Sequence, residues 1–131
     1  MFYDMEIRFS GRPHFITPTD AFAKEFVGDV ASFYRAVPRP LWLHDRHGRL
    51  PIVVYGYAFD GRVTDPAAWQ KFFAAIIQGV EKSLGERAVF HWTNNGSFQQ
   101  MYGFQHFPEI QSYVFNEASS QTPVAARSVT F

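Results

Sequence analysis

Between Asp65 and Gly85 the chain carries the pattern that most restricts its fold: Trp69, Phe72, Phe73, Ile76, Ile77, Val80 and Leu84 recur at three- and four-residue spacing. That period places all seven on one face of a helix. Asp65 is a good capping residue, Pro66 suits the first turn, and Gly85 supplies a stop. An apolar stripe this continuous has to face a core, so the remaining segments must provide the layer that covers it.

A second helix is expected earlier. Thr17 stands before Pro18, a favourable cap followed by Pro at the first helical position, and Phe22, Phe26, Val30, Phe33, Tyr34 and Val37 repeat at helical spacing to about Ala36. The VPRP segment at 37–40 stops it, because residues before Pro avoid the helical region and Pro donates no backbone hydrogen bond. Gly28 weakens this helix by about 1 kcal/mol relative to Ala, so it is read as a point of close packing.

The strands are read from alternation and turn residues. Phe2 to Phe9 alternates, with Tyr3, Met5, Ile7 and Phe9 on one side and Phe2, Asp4, Glu6 and Arg8 on the other. Leu41 to His44 and Arg49 to Phe59 flank Asp45-Arg46-His47-Gly48 and are expected to form a hairpin. The run IVVYGYAF is apolar on both sides, which marks a central strand. Arg87 to Asn94 and Ser97 to His106 are expected to form a second hairpin around Asn95-Gly96, a pair that tolerates the positive φ of a two-residue loop. Pro108 to Ala118 reads as strand or short helix, and the chain closes on a candidate strand ending at Phe131.

With no internal repeat or linker, residues 1–131 form a single α+β domain in this reading. Its expected sheet is mainly antiparallel, of about five to seven strands, with the two amphipathic helices packed on one face. A ferredoxin-like arrangement is one version.

Composition narrows the chemistry. No cysteine is present, which excludes disulfides, thiolate catalysis and Cys-based metal sites. Twelve basic and twelve acidic side chains balance to zero, which argues against duplex nucleic acid and anionic membranes as partners. Arg35, Arg39, Arg46 and Arg49, with Trp42 interleaved, could follow a single-stranded backbone, but the first 65 residues hold eight basic and eight acidic residues. The start, MFYDMEIRFSG, has acids where a signal peptide needs basic residues, and no apolar run approaches the length of a span. The expectation is a cytoplasmic protein outside the membrane.

Catalytic and metal motifs are thin. His44 and His47 are spaced for a shared metal on a helix, yet Asp45 and Gly48 mark a turn there, so no metal is expected. No phosphate-binding glycine loop or nucleophile elbow is present, and no cofactor is expected. His91 is the one acid/base candidate, with Asp60, Glu109 or Glu117 as conceivable partners.

The stronger feature is a depletion of charge. From Ala88 to Ala126 the 39 residues hold only Glu109 and Glu117 as formal charges, while the chain as a whole carries 15 Phe, six Tyr and three Trp. Rings without charges are typical of the centre of a protein interface, because charges are costly to desolvate and rings supply area. In the expected hairpin Trp92 faces Gln99, His91 faces Gln100 and Thr93 faces Phe98, leaving rings on both sides of the ribbon. Helices can cover one side only. Another protein, a second copy, or the C-terminal segment has to cover the other.

The resulting expectation is a small non-enzymatic protein-binding module, of inhibitor or immunity type or a subunit of a homo-oligomeric or virion assembly. Trp92, Phe98, Tyr102 and Phe104 would anchor the contact, oriented by Asn94, Gln99 and Gln100. The competing expectation is a small-ligand binder or enzyme with a pocket between sheet and helices and His91 as acid/base.

Overall fold

A computed structural model describes residues 1–4, 15–55, 58–59, 63–94 and 107–114. Its elements in chain order are β1 (Phe2–Asp4), β2 (Phe15–Ile16), α1 (Asp20–Ala36), β3 (Leu50–Tyr55), β4 (Ala58–Phe59), α2 (Pro66–Leu84), β5 (Ala88–Asn94) and β6 (Ile110–Val114), with a 3₁₀ turn at Arg39–Leu41. The main sheet has the order β1-β3-β5-β6 and every pairing in it is parallel. A second, two-stranded parallel pair joins β2 to β4.

This overturns the expected antiparallel sheet of five to seven strands and, with it, the ferredoxin-like version. Of the hairpin expected around Asn95-Gly96, the arm that is described is an inner strand of a parallel sheet. Over Phe90 to Trp92 both edges of β5 are occupied by parallel neighbours: Phe90 lies between Ile52 and Ile110, His91 between Val53 and Gln111, and Trp92 between Val54 and Ser112. The other arm, residues 97–106, lies outside the described residues. The hairpin expected from Leu41 to Phe59 does not form, because Leu41 ends a 3₁₀ turn and Trp42 to His44 form no strand. The Asp45–Gly48 turn itself stands, with the Gly48 amide donating to the Asp45 carbonyl at 3.0 Å and Gly48 at φ 74°.

The helices follow their sequence signals closely. Asp65 accepts a hydrogen bond from the Ala67 amide, Gly85 ends α2 in the left-handed conformation, and all seven stripe residues are buried. For α1 the cap is Thr19, whose hydroxyl accepts from the Phe22 amide at 3.1 Å, rather than Thr17. Helix α1 lies in the crossover from β1 to β3 and α2 in the crossover from β3 to β5. Phe26 of α1 stacks on Trp92 at 5.8 Å and Phe73 of α2 meets the same ring edge-on at 6.1 Å, so both helices cover one face of the sheet. Tyr3, Leu50, Ile52, Val54, Phe90 and Trp92 supply that face.

The close approach between helices is made by Gly79, not Gly28. A methyl group built at Gly79 would stand 2.8 Å from Val27 Cγ2, whereas one at Gly28 would meet nothing within 4 Å.

Candidate functional site

In a strand, successive side chains point to opposite faces, so the residues alternating with the core set define a second sheet face turned away from both helices. By register Phe2 and Asp4 of β1 lie beside Val53 and Tyr55 of β3, and Pro51 and Val53 lie beside Val89 and His91 of β5. This face is divided. Phe2 is 61% exposed and Tyr55 40%, their rings stacked with centroids 6.0 Å apart, while Val53 is half-buried. One strand further on, Val89 is fully buried and His91 only 3% exposed within the single chain.

His91 therefore has an environment unlike that of an exposed strand histidine. Burial holds its imidazole below its ordinary pKa, the nearby Arg49 guanidinium pushes in the same direction, and Asp45 opposes them. Arg49 and Asp45 form a half-buried pair at the mouth of β3: Arg49 Nε donates to Asp45 Oδ2 at 2.9 Å, and the His47 and Arg49 amides donate to Oδ1. Desolvation alone would raise the Asp45 carboxyl, but those two amides and the guanidinium hold it below its usual range. Chemically, His91 is a neutral imidazole shielded from solvent. It can accept or donate a hydrogen bond within the fold, and proton exchange with an external substrate would require that shield to open.

The end of the molecule where α1 and α2 finish carries a second polar cluster. Trp42 Nε1 donates to the Val37 carbonyl at 2.8 Å, its ring meets Tyr34 edge-on, and Arg39 lies 4.7 Å above it. Arg39 also donates to the Leu84 carbonyl at 2.9 Å, satisfying a terminal acceptor of α2. His44 Nε2 sits 2.7 Å from Glu86 Oε1. Burial and the Glu86 charge push the Tyr34 phenol up to about 12. His44 and His47 gather no metal set; among the described residues no group of three or more His, Asp or Glu is positioned to hold an ion.

The sequence-derived site is not assembled as expected. Trp92 is a core residue at zero exposure, enclosed by Phe26 and Phe73, so it cannot anchor a partner. Asn94 ends β5 opposite Val114. Phe98, Gln99, Gln100, Tyr102 and Phe104 lie outside the described residues, as does the C-terminal segment from residue 115 onward. Sequence reasoning missed Phe2 and Tyr55. A signal existed for Phe2, since the alternation of β1 sets it on the side opposite Tyr3, where its neighbours Asp4, Glu6 and Arg8 are charged.

Among the described residues no helix is long and apolar enough to cross a membrane. Compared with protein-family models, with curated proteins and with solved structures, the chain has no match in any of the three.

Proposed function

We propose that this protein is a small protein-binding domain that associates with a second copy of itself through the open half of the second sheet face. The observation that carries this reading is the stacked, exposed pair Phe2 and Tyr55, with half-buried Val53 beside them. Large rings held outside a core, already packed against each other, lose little conformational freedom on association and bring much area. The zero formal charge removes long-range repulsion between copies, and β1 is the edge strand of the described sheet. A two-fold contact presents the same patch from both sides, so the rings of one copy meet those of the other.

Light scattering over a range of protein concentrations tests this. The expected result is an apparent mass that rises toward the dimer, and a Phe2→Ser, Tyr55→Ser double variant that stays monomeric at concentrations where the parent chain associates. A parent chain that remains monomeric throughout would remove the reading.

A further inference from the structure

The loop from α1 to β3 combines two features that net charge conceals. The 15 residues from Arg35, in the last turn of α1, to Arg49 hold four arginines and one carboxylate, although the whole chain is neutral. Within the same loop Leu41 is 66% exposed and Leu43 is 79% exposed, among the most exposed large apolar side chains described. Leucines this open on a core-forming loop would turn inward if they were needed there. Here the residue between them does so instead: Trp42 is tied to Val37, packed on Tyr34 and overlain by Arg39.

Anchoring Trp42 fixes the leucines outward. The Leu41 and Trp42 amides donate to the Pro38 and Arg39 carbonyls at 2.9 and 3.0 Å, and the Asp45 turn closes the loop behind them. The loop is thus ordered before any partner arrives, and its binding carries little ordering cost. On the same segment Arg35 and Arg46 are exposed, whereas its one carboxylate, Asp45, is committed to Arg49, and Arg39 is committed to the Leu84 carbonyl and the Trp42 ring.

We infer that this loop is a peripheral docking surface for an anionic lipid bilayer, with Leu41 and Leu43 entering the interface and Arg35 and Arg46 meeting lipid phosphates. Charge complementarity selects the occupant, and shape supports it. Two protruding leucines need a partner that yields around them, which a bilayer interface does and a rigid protein surface does only if it offers matching pockets. Such a contact requires no spanning helix. The neutral whole-chain charge does not oppose it either, because screening confines the attraction to charges within about 10 Å of the surface.

Co-sedimentation with vesicles tests the inference, using mixed phosphatidylserine and phosphatidylcholine against phosphatidylcholine alone. The full chain is expected to partition onto the mixed vesicles and to be released by salt. A Leu41→Ser, Leu43→Ser variant should lose about tenfold or more of that partitioning, and Arg46→Glu should weaken it severalfold. Both changes fall on exposed side chains, and circular dichroism checks that the fold persists. Lys71→Gln, an exposed change near the other end of α2, should leave vesicle binding unchanged, which separates this surface from basic side chains elsewhere. Equal binding to both vesicle types, no binding to either, or leucine substitutions that alter apparent mass without altering partitioning would each overturn the assignment.

Discussion

Trp92 and His91 are neighbours on β5 and face opposite sides of the sheet, and the difference decides what each can do. Trp92 points to the helices, where Phe26 and Phe73 enclose it completely. Truncating so large a buried ring leaves a cavity that the surrounding rings cannot fill, so Trp92→Ala should lower unfolding stability by about 3–5 kcal/mol in urea denaturation. Phe2→Ala, at an exposed position, should change it by only about 0.5 kcal/mol. His91 is buried on the other face with its pKa depressed. In the unfolded chain it takes up a proton near its ordinary value of 6.5, and in the fold it does so only at lower pH. Unfolded molecules therefore bind more protons between those two values, and stability must fall as pH drops below about 6.5 toward the folded pKa, by at most about 1.4 kcal/mol per pH unit for one group. In a His91→Gln variant this part of the acid dependence should disappear from urea midpoints measured at successive pH values. An unchanged pH profile would mean that His91 titrates normally.

At the scale of elements, the two helices separate local from non-local information. Two helical glycines that look alike in sequence differ in their surroundings: Gly28 is exposed with open space around its Cα, and Gly79 lies against Val27. Gly28→Ala should therefore stabilise the protein by about 0.5–1 kcal/mol through helix propensity alone. Gly79→Ala places a carbon 2.8 and 3.2 Å from both γ-carbons of Val27, so rotating that stiff side chain cannot clear the clash. It should destabilise by about 1–3 kcal/mol, and adding Val27→Ala should recover part of that loss in a double-mutant cycle of thermal or urea unfolding. Helix α2 was legible in the sequence almost to the residue, because a stripe, a cap and a stop are all local signals. The start of α1 was displaced by two residues because Thr17 and Thr19 are equally good capping residues, and only the chain geometry selects Thr19. Which glycine permits close packing depends on the partner helix, and nothing within α1 or α2 alone records it.

For the whole molecule, strand direction was the part that the sequence did not reveal, and the reason lies in what strands can encode. Alternation tells which side of a strand is covered but not which way its neighbour runs. The Asn95-Gly96 pair is a strong local hairpin signal, and it prevailed over two weaker signs of parallel pairing. One was that LPIVVY and AVFHW are apolar on both faces; the other was that a 19-residue helix joins β3 to β5, a length suited to a parallel crossover. The observed order makes β3 and β5 the inner strands, bounded on both sides, and leaves β1 with one described neighbour. Hydrogen bonds in inner strands open only when the surrounding sheet opens with them, whereas an edge strand can detach by itself. The Val53 amide donates to the Met1 carbonyl on the β1 side, while the Leu50 amide donates to the Arg87 carbonyl on the β5 side. Donation alternates along a parallel strand, so Ile52 and Val54 should also donate toward β5. Native-state hydrogen exchange should then resolve a ladder within one strand: Ile52 and Val54 exchange only with global unfolding, and Val53 exchanges faster as β1 detaches. Equal protection of all three would mean that β1 belongs to the same cooperative unit as the inner strands, and that the exposed Phe2 and Tyr55 rest on a surface as firm as the core itself.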